Sequence, residues 1–217
     1  DNVIYVGASP NHNVLPLVRY MLENISRQVF CVGSNYVWTW ETNRVTRELV
    51  TAAQGSILAE RLLELGESAV DHIVDEIVRR KPPVVFNTLV GSSSYDFIRA
   101  FHAATTAAGL DIPMLSCSLC EPELKIVGPA SAGCITSSAY FESICLPENR
   151  AFVQRTLASL TAQTDVVLLN TTFTVDDHHD FSMSGGRVHS IADRMEPATN
   201  LALQTAVIAN ARAFIGT

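Results

Sequence analysis

The chain has 217 residues, 47% apolar and 17% charged, which is enough for a sizeable core and too apolar for a disordered segment. Its formal net charge of −7 without a basic cluster argues against a phosphate-tracking nucleic-acid surface. No apolar run approaches the roughly 18 residues of a membrane span, and no basic-then-apolar leader pattern is visible.

The elements read in order as alternating strands and helices. Residues 2–7 are extended, and 11–24 are helical with Pro16 early enough to be tolerated. Gln28-Val-Phe-Cys-Val32 holds a buried strand over 29–32, followed by a helix over 40–53 and a strand over 56–62. Residues 68–80 form an amphipathic helix: Val70, Ile73, Val74, Ile77 and Val78 make an apolar stripe, with Asp71, Asp75, Glu76 and Arg79 opposite. The run 84–90 is apolar at nearly every position, as a central parallel strand covered on both faces should be. A helix over 93–108 closes at Gly109, a strand follows over 114–119, a short helix over 121–127 and a strand over 133–140. The pattern ends with a helix over 149–163, a strand over 165–171 and a helix over 198–214. Such alternation implies right-handed crossovers and an α/β fold: a three-layer, doubly wound parallel sheet of flavodoxin-like type.

Chemistry concentrates at two places. Gly33-Ser-Asn-Tyr-Val-Trp-Thr-Trp-Glu-Thr-Asn43 puts Tyr36, Trp38 and Trp40 at the carboxyl end of a strand, the edge where open α/β sheets bind ligands. Ordinary helix packing accounts for the same aromatics, so both readings stand. Near the other end, Asp176, Asp177, His178, His179 and Asp180, with His189 nearby, form the densest ionisable set. Adjacent histidines lack the i, i+4 spacing of helix-borne metal ligands, and a solvated loop explains the run, so no metal or catalytic site is assigned. The five cysteines cannot all pair, and Cys117-Ser-Leu-Cys120 lacks a second CxxC, so neither a redox nor a zinc role is assigned. That pattern favours a reducing, cytoplasmic setting.

The segment Gly33–Val45 resembles the signature of amide- and urea-binding proteins, the amide-sensor branch of the type I periplasmic-binding-protein superfamily. Residues 2–11, 84–93, 116–124 and 147–153 are similar to that family in the expected order, so the likeness covers about residues 1–155. It implies the C-terminal lobe of a small-molecule binding protein, with no catalytic residue, cofactor or metal. It also implies a ligand wall at Tyr36 and Trp38, joined at the same sheet edge by Val90, Gly91, Ser92, Ser118 and Cys120. Cys120 stands where relatives commonly carry a hydroxyl, and helix capping is the competing role for Ser92 and Ser118. The family closes two lobes on its ligand, so one lobe is expected to bind a short amide or urea weakly or not at all, and to pair into homodimers through the former inter-lobe face. If the chain follows the transporter branch, its setting is periplasmic.

From about residue 156 the sequence resembles a segment of the Rossmann-like lobe of bacterial glycosyltransferases, on residues 164–171, 176–180, 186–190 and 197–205. The two likenesses together imply a chimera joined near residue 155, in which residues 156–217 complete the sheet of a single domain over 1–217. The alternative function they imply is a fragment of a nucleotide-sugar-dependent transferase, or a folding scaffold without native activity.

Overall fold

Asn13 starts the first helix by accepting the Val14 N–H with its own side chain at 2.8 Å, and α1 runs Val14–Asn24. Pro16 then falls in the first turn, where its missing N–H forfeits no intrahelical bond. The elements that follow are β1 (Gln28–Ser34), α2 (Val37–Ala52), β2 (Ser56–Leu63), α3 (Asp71–Arg80), β3 (Val85–Thr88), α4 (Ser92–Ala107), β4 (Met114–Ser116), α5 (Glu121–Val127) and β5 (Cys134–Thr136). The computed structural model describes residues 9–141, 143–163, 166–169 and 188–191, so the strand expected at 2–7 and the helix expected at 198–214 lie outside the described residues.

The chain divides into two units, Asp1–Phe141 and Glu142–Thr217. In the first, five strands pair in parallel in the order β2-β1-β3-β4-β5. This is the flavodoxin-like order, with its topological switch point between β1 and β3. Alternate residues of each strand feed opposite cores. Phe30, Val32, Val85 and Met114 pack with α3 and α4, while Val29, Cys31, Phe86 and Leu115 pack with α1 and α2. The edge strand β2 carries an irregularity opposite Val29 and Phe30 that skips Leu58, a device that disfavours edge-to-edge pairing.

One residue of the polar face of α3 is not solvated as the helical pattern implied. Glu76 is buried because Arg61, from the neighbouring strand β2, donates from Nε and Nη2 to its two oxygens, each at 2.7 Å. Arg80 adds a third contact at 2.7 Å. The Arg61 hydrogen bonds hold the Glu76 carboxyl below the usual carboxylate range, against the opposing pull of desolvation. A depressed carboxyl stabilises the fold fully above its unfolded value near 4.3 and loses that contribution as pH falls through the folded value. Both arginines are more than a third exposed, 39% and 47%, so screening limits the effect. Glu76→Gln is expected to cost about 1–2 kcal/mol at pH 7. The difference from wild type should shrink as denaturant titrations move from pH 7 to pH 3.5.

In the second unit, α6 (Pro147–Gln163) runs through residue 155 as one helix. The strand expected at 165–171 is β6 (Val166–Leu169), and it pairs in parallel with β7 (Val188–Ile191) in a separate two-stranded sheet. The sequence reading placed no strand at β7. The cluster at 176–180 lies outside the described residues.

Candidate functional site

The carboxyl ends of β1, β3 and β4 are stitched into one edge by side chains that end the strands. Ser34, the last residue of β1, is fully buried; its carbonyl accepts the Tyr36 N–H at 2.8 Å and its Oγ accepts the Val90 N–H at 3.2 Å. One serine thus fixes the loop after β1 against the loop after β3. Asn35 extends the seam: its Nδ2 donates to Glu64 at 2.8 Å, and its Oδ1 accepts the Trp40 indole N–H at 3.1 Å.

The three aromatics part company here. Tyr36 is the extended N-cap residue of α2, and its ring lies 6.4 Å from that of Trp38 with 29° between planes. Trp38 also packs against the core on the α1 side, so the packing role accounts for part of its ring. Trp40 is 51% exposed, with its indole tied to Asn35 and only its backbone N–H reaching the Tyr36 carbonyl.

After β3, Asn87 Oδ1 accepts the Leu89 N–H at 2.9 Å and turns the chain toward Gly91. Gly91 has φ +60, in the region that favours glycine, and sits at the N-cap of α4 with no side-chain cap. Ser92, the next residue, is exposed. Ser93 Oγ is the one buried side-chain polar atom without a partner among the described residues.

After β4, Ser118 Oγ donates to the Leu89 carbonyl at 2.8 Å and lies 3.2 Å from Ser116 Oγ. The capping role considered for Ser118 falls instead to Cys120, the N-cap of α5, which forms a capping box with Glu123. Glu123 Oε2 accepts the Cys120 N–H at 2.6 Å, and its Oε1 accepts the Tyr95 hydroxyl at 3.0 Å. Burial, and then the Glu123 charge, raises the Cys120 thiol; burial alone pushes Cys117 up to about 12. The CxxC pair is therefore held as neutral thiols, which are poor nucleophiles.

All seven sequence candidates follow the carboxyl ends of β1, β3 and β4, on the loops or the first turns of the helices after them: Tyr36 and Trp38, then Val90, Gly91 and Ser92, then Ser118 and Cys120. The sequence reading did not single out Ser34, Asn35, Asn87 or Glu123. Glu123 alone had a local signal, the three-residue capping-box spacing from Cys120. A cleft of about 240 Å³ opens at the opposite, amino edge of the sheet, between the last turns of α4 and the starts of β4 and β5. None of the seven candidates lines it.

Residues 1–199 match the periplasmic binding protein domain family, and the chain belongs to that family: it is a binding domain, not an enzyme. Solved structures agree on the fold. A solute-binding protein of an ABC transporter from R. palustris, in complex with 4-hydroxybenzoate, is 19% identical with a TM-score of 0.61, over 68% of this chain and 41% of that one. Another from R. palustris, with benzoate, is 21% identical with a TM-score of 0.56, over 67% and 39%. The leucine-, isoleucine-, valine-, threonine- and alanine-binding protein of Brucella ovis is 14% identical with a TM-score of 0.58, over 69% and 38%. The chain thus spans about two fifths of the length of these proteins. The family match continues past residue 155, so it lends no support to a chimera joined there or to a glycosyltransferase-like tail.

Proposed function

We propose that the chain is the part of a substrate-binding protein that holds a short neutral amide or urea against the carboxyl edge of the sheet. The observation that carries this is the Ser34 seam, which presents the Tyr36 and Trp38 wall beside the Val90–Gly91–Ser92 loop. A small amide needs a donor for its carbonyl, an acceptor for its NH2 and apolar walls. Ser92 and the uncapped first turn of α4 supply donors. Ser118 spends its proton on the Leu89 carbonyl, so its oxygen is left to accept from the NH2. The proposal includes association of two copies through this edge, which also carries the exposed side chains Val37, Trp40 and Leu65. It also places the protein in a periplasmic setting, following the family description and replacing the cytoplasmic one inferred from the cysteines.

The test is a titration of the purified chain with acetamide and urea, followed by NMR. Saturable binding with a Kd on the order of millimolar, about 4 kcal/mol, is expected. Tyr36→Ala should weaken it at least tenfold. Binding that survives both Tyr36→Ala and Ser118→Ala unchanged would place the ligand elsewhere.

A further inference from the structure

We propose that Glu123 sets the charge class of the ligand, making the β4 side of this edge reject carboxylates while accepting neutral amides of the same shape. This rests on the reading that the carboxyl edge holds the ligand. The Glu123 carboxylate is pinned at both oxygens, by the Cys120 N–H at 2.6 Å and the Tyr95 hydroxyl at 3.0 Å, so it stands one hydrogen bond from a candidate contact residue. Its field already acts on its neighbours: it adds to the burial that raises the Cys120 thiol, and to the burial that pushes Tyr95 up to about 12.

The surrounding charges point the same way. Glu121 shares the first turn of α5, and Glu64 is held by Asn35 on the β1 side. Lys125 lies in the last turn of α5, and Arg99, on α4 seven residues beyond Ser92, is bound to Asp96 and the Ile126 carbonyl. The N-termini of α2 and α4, which have no acidic residue in their first turns, pull the other way and favour an anion. Magnitudes decide. An exposed helix N-terminus favours an anion by a few-fold. A like charge placed about 7 Å from a bound carboxylate would oppose it by roughly tenfold at an effective dielectric of about 30. Structural relatives hold benzoate and 4-hydroxybenzoate, so a carboxylate ligand is the natural contrast.

The experiment compares acetamide with acetate, an isosteric pair that differs in charge, by NMR titration of this chain. Wild type should bind acetamide at least tenfold more tightly, and about 0.5 M salt should narrow the ratio by screening. Glu123→Gln keeps an oxygen for the Cys120 N–H, so the capping box survives while the charge goes. It should tighten acetate about tenfold and leave acetamide within twofold. Acetate binding wild type as well as acetamide, with both lost in Tyr36→Ala, would overturn the charge inference and leave the site standing. A Glu123→Gln ratio equal to that of wild type would also overturn it. If neither compound binds, the site reading and this inference fall together. Should Glu123→Gln not fold, the wild-type salt series decides: a salt-insensitive ratio overturns the proposal.

Discussion

Asn87→Leu is expected to destabilise the fold by about 3 kcal/mol and to weaken ligand binding more than tenfold. Asn87 is fully buried in β3, between strand residues that pack into the two cores. Its Oδ1 accepts the Leu89 N–H at 2.9 Å, and its Nδ2 donates to Ser94 Oγ at 3.2 Å in the first turn of α4. Leucine keeps the branching at Cγ but is bulkier, so the change removes both bonds and strains the packing instead of opening a cavity. It leaves a buried N–H and a buried hydroxyl unpaired, each at about 1–3 kcal/mol, partly offset by the added apolar surface. The loop from Leu89 to Gly91 then loses the bond that turns it, and with it the geometry of Val90, Gly91 and Ser92. Denaturant unfolding and an amide titration read the two effects separately. A stability change under 1 kcal/mol would mean that the Asn87 bonds are replaced by water or by rearrangement.

The same residue shows what sequence patterning reaches and what it misses. The alternation of strands and helices was legible because each element keeps its own period, and the short helix over Glu121–Val127 falls where its flanking residues placed it. The same alternation carried the expectation of a flavodoxin-like sheet, and the order β2-β1-β3-β4-β5 agrees with it. The ends of strands failed for a local reason. Hydrophobicity continues to Val90, but β3 stops at Thr88 because Asn87 takes the Leu89 N–H and Ser34 takes the Val90 N–H. Likewise β4 stops at Ser116, whose Oγ accepts the Ser118 N–H at 3.3 Å. Side chains that compete for backbone donors end the ladder where the apolar run does not. Those side chains are also the ones that shape the edge, so the site was legible in its aromatic wall and not in its supports. Helix α2 begins at Val37 rather than residue 40 because Tyr36, with no capping side chain, is already the extended N-cap; no Ser, Thr or Asp marked the start. Glu76 shows the converse limit. Its helical position is polar, yet Arg61, fifteen residues earlier on β2, buries it, and no local window contains that pairing.

The second large effect is expected at Gly33, in β1 one residue before the seam. Its φ is not positive, so conformational freedom is not the reason for glycine here; proximity is. A Cβ at this position would stand 2.3 Å from Thr39 Cγ2 and 2.3 Å from Thr88 Oγ1. Neither neighbour can yield cheaply. Both threonines are fully buried and stiff at χ1, and Thr39 Oγ1 donates to the Thr88 carbonyl at 3.1 Å. Thr88 Oγ1 lies 3.1 Å from the Val32 carbonyl and 3.3 Å from Asn43 Oδ1. Gly33→Ala must therefore push away both the first turn of α2 and the Thr88 side chain of β3, at about 3 kcal/mol, the upper range of overpacking. That turn carries Trp38 and is capped by Tyr36, so amide binding should fall with stability. The mechanism has its own control. Thr39→Ser removes the Cγ2 that collides while keeping the hydroxyl that bonds Thr88. In Gly33→Ala/Thr39→Ser the two changes should couple favourably by about 1 kcal/mol or more, since residues in contact are not additive. Strict additivity in that cycle would show that the penalty at Gly33 comes from Thr88 or from the backbone, not from the approach of α2.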